Sequence, residues 1–274
     1  MSIPSENLEK LIDTHAHLHM KHFDSDRTDL YKRTRQLKFI LNIATSMEDI
    51  YDTLSVSKIL ENTYAAIGVH PHDSGKVPND YLDTIESLVK REKKVLAIGE
   101  IGLDYYRNLS PIDVQKKVFA EQLMLANYLK KPVILHIRNA YEDTYEIVKS
   151  IGAERGGIVH AFSGDEKWAK KFVKLGFKIG IGGPVTYPKN DLLRSVVKIL
   201  DVGNIVTETD CPYLPPQQYR GKRNEPAYVQ YVYEQIVELL NLELDDLYDK
   251  IWQNVKEIFK LDLANDLNGV DIND

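Results

Sequence analysis

Several features that would assign a protein to a compartment or to a membrane are missing from this 274-residue sequence. Its one cysteine, Cys211, cannot form a disulfide within the chain, which favours a reducing compartment. No apolar run approaches the roughly 20 residues needed to cross a bilayer. The first ten residues also lack the charged start and apolar core of a secretory signal. We therefore expect a cytoplasmic protein that does not enter a membrane.

A large excess of charge of one sign is missing too. The 35 basic and 41 acidic residues give a formal net charge of −6. An anionic substrate must then be attracted by local charge rather than by the field of the whole molecule. No Gly/Ser-rich linker, low-complexity tract or abrupt change of composition divides the chain. We therefore predict a single domain over residues 1–264, followed by a polar tail at 265–274.

What the sequence does contain is a regular alternation of strand-like and helix-like segments. Apolar, β-branched runs recur eight times, each followed by helical periodicity such as that of Leu192, Val196 and Leu200. Eight parallel strands can close into a (β/α)8 TIM barrel, although an open, doubly wound sheet would show the same alternation. We predict the barrel. The predicted strands are residues 11–15, 39–44, 64–69, 95–100, 132–137, 156–160, 177–181 and 205–209.

Histidines and carboxylates occur where the predicted strands end. His15 and His17 lie two residues apart at the end of the first strand, so strand alternation puts both rings on one face. Any one such residue is better explained as a strand cap, but in a barrel all of them meet at the C-terminal rim, where active sites of this fold lie. The other residues of this kind are Glu100, His136, His160 and Asp210.

This ligand set is too large for one ordinary catalytic metal, which takes three protein ligands. It suits two divalent ions about 3.5–4 Å apart that share a carboxylate and activate a water for hydrolysis. Asp210 and Glu100 are the predicted catalytic residues, because Asp210 could accept the proton of that water. The ligand types leave Mg²⁺, Mn²⁺ and Zn²⁺ open. The predicted division is His15, His17 and Asp210 on one ion, His136 and His160 on the other, and Glu100 bridging.

With these residues in place, the sequence resembles the TatD family of metal-dependent deoxyribonucleases, within the amidohydrolase-like barrels. The matching motifs cover nearly the whole chain in the family's order. The resemblance implies a (β/α)8 barrel, divalent metal dependence and hydrolysis of DNA phosphodiesters, and family members are described as 3′-end exonucleases that often favour single strands. The motifs are DTHAH at 13–17 with Phe23, GVHPH at 68–72, GEIGLDY at 99–105, residues 115–126, residues 132–138, HAFSG at 160–164, ETDCPYL at 208–214 and RGKRNEP at 220–226.

Five further residues are expected to face the substrate. Arg220 and Arg223, in the loop after the last strand, could meet phosphate oxygens, although such a charge run is more often a solvated surface. Arg138 follows the fifth strand on the face of its histidine and could do the same. The resemblance implies that His70 is a phosphate contact or acid; a capped strand end before a proline is the alternative. Asp104 either contacts substrate or caps a turn.

The expected partner is DNA, as a strand end or a single strand, and the expected oligomeric state is a monomer. An acidic protein gains little from counterion release along a long duplex, which favours an exonuclease. The runner-up is hydrolysis of a small amide, ester or lactone, because one barrel and one metal set can run both reactions. A metal-bound scaffold without catalysis is a third interpretation. The cations of loop 220–223 favour the phosphodiester, because an uncharged carbonyl compound has little use for them.

Overall fold

The computed structural model describes residues 5–261 and shows a barrel of eight parallel strands. The strands pair in chain order from the first to the eighth, so neighbours in sequence are neighbours in the sheet. A doubly wound sheet would reverse its strand order part-way, which excludes that alternative. The predicted barrel is confirmed. The strands are β1 Ile12–Ala16, β2 Phe39–Ile43, β3 Thr63–Ile67, β4 Val95–Asp104, β5 Val133–Arg138, β6 Gly157–Val159, β7 Phe177–Ile181 and β8 Ile205–Thr207.

Helices cover the outside of the barrel, and no helix within residues 5–261 combines the length and the hydrophobicity needed to span a bilayer. The last two follow β8. The predicted tail at 265–274 lies outside the described residues. The α-helices are α1 Arg27–Thr34, α2 Ile50–Ile59, α3 Tyr81–Arg91, α4 Ile112–Tyr128, α5 Tyr141–Ile151, α6 Glu166–Lys174, α7 Asp191–Ile199, α8 Val229–Leu240 and α9 Leu244–Phe259.

The predicted helical face of α7 is confirmed in part. Val196 and Leu200 are buried as expected, whereas Leu192 is 49% exposed. Leu193 and Val197, which lie next to this face, are buried as well, so the buried side of the helix is centred one residue further along the chain than Leu192 implies. Leu192 is therefore left at the surface near the start of α7.

Side-chain hydrogen bonds join β8 to β1 and complete the barrel. The Thr207 hydroxyl donates to the Ile12 carbonyl at 2.9 Å, and the Thr14 hydroxyl donates to the Thr207 carbonyl at 3.1 Å. The buried Asp13 carboxylate accepts the Thr209 N–H at 2.9 Å and the Thr209 hydroxyl at 2.6 Å. These bonds satisfy buried polar groups where β1 meets β8, and they fix the register of the two strands. They therefore set the position of the histidines that follow Asp13.

Strand β4 is longer than predicted, which changes the setting of Glu100. The prediction ends this strand at Glu100, but β4 continues to Asp104 because its last residues still pair with β5, as in Gly102 with His136. The pairing register shifts between Ile98 and Ile101. Glu100 thus lies within the strand, at an irregular point of the ladder, rather than at its end.

Candidate metal centre

The six predicted ligands meet at the carboxyl end of the barrel. His15, His17, Glu100 and His160 are buried, and the side chains of the other two are only slightly exposed. Potential ligand atoms form three overlapping groups, and within each group all ligand atoms lie within 4.8 Å of one another. Alternating strand geometry and the rim of the barrel explain this convergence. The three groups consist of His15, His17 and Asp210; of His15, Glu100 and His160; and of His70, Glu100 and His136.

The first strand and the segment after the eighth strand supply the first group. The Nε2 atoms of His15 and His17 lie 3.2 Å apart. Oδ1 of Asp210 is 3.4 Å from His17 Nε2 and 3.8 Å from His15 Nε2. Oε2 of Glu100 adds a fourth ligand atom, 3.4 Å from His15 Nε2. Two nitrogens and two carboxylate oxygens therefore face a common point.

The other oxygen of Glu100 faces a second set of imidazoles. Its Oε1 atom lies 2.7 Å from His136 Nδ1, 3.7 Å from His160 Nε2 and 3.6 Å from His70 Nε2. Each carboxylate oxygen of Glu100 thus has its own group of nitrogens. This arrangement is the one that a carboxylate shared between two ions requires.

The charge distribution favours cations in this cluster. Burial opposes protonation of His160, yet neighbouring carboxylates, Glu208 foremost, raise its pKa to about 10. Burial likewise opposes ionisation of Glu100, but the surrounding imidazoles hold its pKa well below the usual value. Among the residues that the structure describes, only imidazoles pair with the Glu100 and Asp210 carboxylates, and no lysine or arginine does. Imidazole nitrogens and carboxylate oxygens are suitable ligands for divalent metals, so the donor set fits such ions.

Neighbouring polar groups fix the orientation of two ligand rings. His17 Nδ1 lies 2.8 Å from the Ile43 carbonyl, so Nδ1 carries the proton and the lone pair of Nε2 faces the cluster. His160 Nδ1 lies 3.2 Å from Oε1 of Glu208, and that oxygen also accepts the Ala161 N–H at 2.6 Å. A backbone carbonyl thus holds the His17 ring from behind, and a buried carboxylate places negative charge behind the His160 ring.

Asp104 holds histidines as well, which corrects its assignment as a substrate contact. Its side chain is fully buried, and Oδ2 lies 3.3 Å from His136 Nε2 and 2.7 Å from His72 Nε2. The other oxygen accepts the backbone N–H groups of Tyr106 and Arg107 at 2.9 and 2.8 Å. Asp104 therefore combines the alternative turn-capping role with support of His136 from behind, because β4 carries it below the surface of the site.

His70 faces the cluster from the end of β3. Its Nδ1 accepts the backbone N–H of His72 at 3.1 Å, so the neutral ring carries its proton on Nε2. Gln122 fixes the preceding residue, accepting the Val69 N–H at 2.7 Å and donating to the Val69 carbonyl at 3.0 Å. His70 Nε2 is thus a fixed hydrogen-bond donor beside Glu100.

The cluster forms the floor of an open cleft of about 790 Å³. His70, Arg138 and Asp210 line it together with Arg107 and Tyr213. The guanidinium of Arg138 lies 4.0 Å from the centre of the Tyr106 ring, an arrangement that leaves its edge free for hydrogen bonds. The cleft thus combines a negative, metal-binding floor with positive charge on its wall.

Comparisons with known proteins agree with this fold and show the family of the chain. A family model described as TatD related DNase matches residues 12–260. The chain belongs to this family. It is 39% identical over 254 residues to an uncharacterized metal-dependent hydrolase of Bacillus subtilis, YabD, covering 92% of this chain and 99% of that protein. The crystal structure of YjjV, a TatD homolog from Escherichia coli K12, has a TM-score of 0.87 and 31% identity, covering 93% of this chain and 100% of that one. The family is one of metal-dependent hydrolases.

The structure places two predicted substrate contacts elsewhere in this TatD-family barrel. Arg223 forms a bidentate ion pair with Asp26 at 2.6 and 2.7 Å, and its guanidinium also packs on the Phe23 ring. Arg220 stacks 4.2 Å from the centre of the Tyr187 ring. Neither lines the cleft. The prediction that they contact phosphate is therefore corrected on their position, because neither residue lies at the cleft, and the guanidinium of Arg223 is in addition held by its ion pair.

Two residues that contribute to the TatD-family site are missing from the sequence-based prediction. Glu208 lies behind His160. The sequence feature that could have pointed to it is its position directly after the apolar run of β8, where a carboxylate is buried. Arg107 lines the cleft because β4 extends to Asp104 and delivers the following turn to the rim. With the predicted end of β4 at Glu100, no pattern pointed to Arg107.

Proposed function

We propose that this chain is a divalent-metal-dependent exonuclease that removes nucleotides from the 3′ end of DNA, preferably from single strands. The proposal is carried by the position of Glu100 on the floor of the cleft, where its two carboxylate oxygens face separate groups of imidazoles. Two guanidinium groups line the same cleft. Arg107 and Arg138 supply positive charge that a phosphodiester needs and an uncharged amide or lactone does not.

In this proposal the cluster holds two ions, and the assays include Mg²⁺, Mn²⁺ and Zn²⁺. When bound, such ions would lower the pKa of a water and offset negative charge on the phosphate. The Asp210 side chain is 14% exposed at the cleft, and one of its carboxylate oxygens accepts the proton of the attacking water. His15, His17 and Asp210 would hold one ion, His136 and His160 the other, and Glu100 both.

The remaining residues of the cleft bind and orient the phosphate. His70 donates a hydrogen bond from Nε2, since its Nδ1 is already occupied by the backbone of His72. Arg138 can donate two parallel hydrogen bonds to non-bridging oxygens while its face stays on Tyr106. Together they hold the phosphorus atom in line for attack from the floor of the cleft.

Cleft size and overall charge support action at a strand end. A cleft of about 790 Å³ falls within the usual range for small-ligand sites, which suits a few nucleotides rather than a duplex. The net charge of −6 gives little attraction to long DNA. The choice of the 3′ end rests on the family resemblance.

An assay on end-labelled oligonucleotides tests the proposal. Single- and double-stranded DNA is incubated with each metal, and a chelator serves as the blank. A strand labelled at its 5′ end should give a descending ladder, whereas a 3′ label should be released at once as a mononucleotide. The variant Asp210→Asn should lose this activity, and the exposed control Asp249→Asn should keep it.

The same preparations separate this proposal from its competitors. If DNA stays intact while compounds of an amide, ester and lactone panel are hydrolysed, the protein is a hydrolase of carbonyl compounds and the nuclease proposal is wrong. Activity that survives in Asp210→Asn would remove Asp210 as the proton acceptor. We also propose that the protein is a monomer and that it is cytoplasmic. The molar mass of the purified protein, measured by light scattering, checks the oligomeric state.

A further inference from the structure

A second groove, between α6 and α7, opens beside the cleft. Its volume is about 620 Å³. One wall consists of four lysines of α6, and the other wall comes from the start of α7. The residues that matter here are Lys167, Lys170, Lys171 and Lys174 on α6, and Leu192 and Ser195 on α7.

This part of the surface is positive in an otherwise acidic protein. Residues 165–200 contain eight basic and three acidic residues, although the whole chain has a net charge of −6. Asp165 and Glu166 also line the groove. The Asp165 carboxylate accepts the Trp168 N–H at 2.9 Å and caps α6. The four lysines outnumber these two acids, so the groove attracts anions.

Three of the lysines have free ammonium groups. Lys167, Lys170 and Lys174 are exposed, and none of them pairs with a carboxylate within residues 5–261. Their spacing places them on one side of α6 over a length of about 10 Å. Lys171 differs, because its ammonium lies 4.1 Å from the centre of the Trp168 ring. The free groups therefore form a row of charges along the groove.

The groove is continuous with the cleft at both walls. Leu192, which is 49% exposed, lines the cleft and the groove alike. On the opposite wall, Ser163 and Gly164 line the cleft and the next residue, Asp165, lines the groove. A chain molecule whose end reaches the metal centre can thus pass over Leu192 and continue along α6 without leaving the surface.

We propose that this groove binds the phosphate backbone of a single DNA strand, on the 5′ side of the nucleotides held in the cleft. The inference rests on the proposed function and deepens it. A row of ammonium groups matches a row of phosphates, and exposed Leu192 offers an apolar surface to a base at the junction. Local charge of this kind lets an acidic protein hold a strand by ion pairing that salt weakens.

Replacing the free lysines by glutamine tests the groove with little effect on folding, since lysine and glutamine have similar helix propensities. The substrates are a dinucleotide and a labelled single strand of about 20 nucleotides, longer than usual binding sites. The control variant removes three positive charges from exposed positions on α2, α3 and α4. The test variant is K167Q/K170Q/K174Q, and the control variant is K58Q/K90Q/K117Q.

For the long strand at low ionic strength, kcat/KM of the test variant should fall about tenfold, mainly through KM. Its dependence on salt should also become shallower, by up to about 0.7 in the logarithmic slope for each lysine–phosphate ion pair that the substitutions abolish. The dinucleotide should be cleaved at the wild-type rate, and the control variant should match wild type on both substrates. An unchanged KM of the test variant for the long strand, or an equal loss of kcat/KM on the dinucleotide, overturns the proposal that the groove binds the strand. Neither result contradicts the proposed nuclease activity. A wild-type protein that cleaves neither substrate removes both proposals.

Discussion

Replacing Glu208 by glutamine tests how the protein supports one candidate metal ligand, His160, while His160 itself stays unchanged. Oε1 of Glu208 accepts the Ala161 N–H at 2.6 Å and lies 3.2 Å from His160 Nδ1. Glutamine keeps the size of the side chain and one acceptor oxygen. It removes the negative charge that, among the neighbouring carboxylates, does most to raise the pKa of His160. We expect Glu208→Gln to fold as wild type and to bind metal more weakly.

The size of the effect follows from the role of this carboxylate. Loss of a group that supports a metal-binding histidine typically lowers metal affinity about 10- to 100-fold. This range corresponds to about 1.4–2.8 kcal/mol of binding free energy. At a fixed, saturating metal concentration the stabilisation by metal should shrink by the same amount. For a protein of this size, the rise in Tm on adding metal should be smaller by about 3–10 °C.

The assay starts from protein stripped of metal by a chelator. Calorimetric titration with Mn²⁺ or Zn²⁺ gives the affinity, and thermal unfolding with and without metal gives the shift in Tm. Glu154→Gln, at an exposed position, makes the same chemical change away from the site. Because each protein is compared with its own metal-free form, an altered baseline stability does not affect the result. Wild-type affinity and an unreduced shift in Glu208→Gln would refute the argument that this carboxylate acts through His160.

Three further substitutions test a buried support of His70, a residue that lines the cleft and a residue outside it. Gln122→Ala should lower the free energy of unfolding by about 2–4 kcal/mol, because it leaves the buried N–H and carbonyl of Val69 without partners; a decrease below about 1 kcal/mol in urea unfolding would contradict this. Arg138→Ala should raise KM for DNA about tenfold or more at unchanged metal affinity, since a charge-assisted hydrogen bond contributes about 1.5–3 kcal/mol. Arg220→Ala should leave KM for DNA unchanged in the same steady-state assay. An increase in KM as large as that of Arg138→Ala would show that loop 220–223 contacts the substrate.

Much of the fold could be predicted because a parallel barrel requires buried, β-branched strands at regular intervals. The ends of the strands were less predictable, because hydrogen-bonded pairing extends beyond the apolar run. Strand β4 shows the difference: its pairing with β5 continues to Asp104, past the buried Glu100 that looked like a strand end. That extension moves Asp104 behind His136 and brings Arg107 to the cleft.

The convergence of the histidines could be predicted from strand alternation, as for His15 and His17, and from the meeting of strand ends at the rim of a barrel. The roles of the arginines could not, because they depend on partners far away in sequence. Arg223 is paired with Asp26, which lies 197 residues earlier, and no local pattern shows this. Local spacing also could not choose between Leu192 and Leu193 as the buried residue of α7, since only packing in the folded chain decides.

In the proposed site the two oxygens of Glu100 are shared between a pair of divalent ions. Anomalous diffraction from crystals grown with Mn²⁺ locates such ions. We expect two peaks about 3.5–4 Å apart, one beside His15, His17 and Asp210 and the other beside His136 and His160. A single peak, or peaks that leave either oxygen of Glu100 without a metal neighbour, would contradict it.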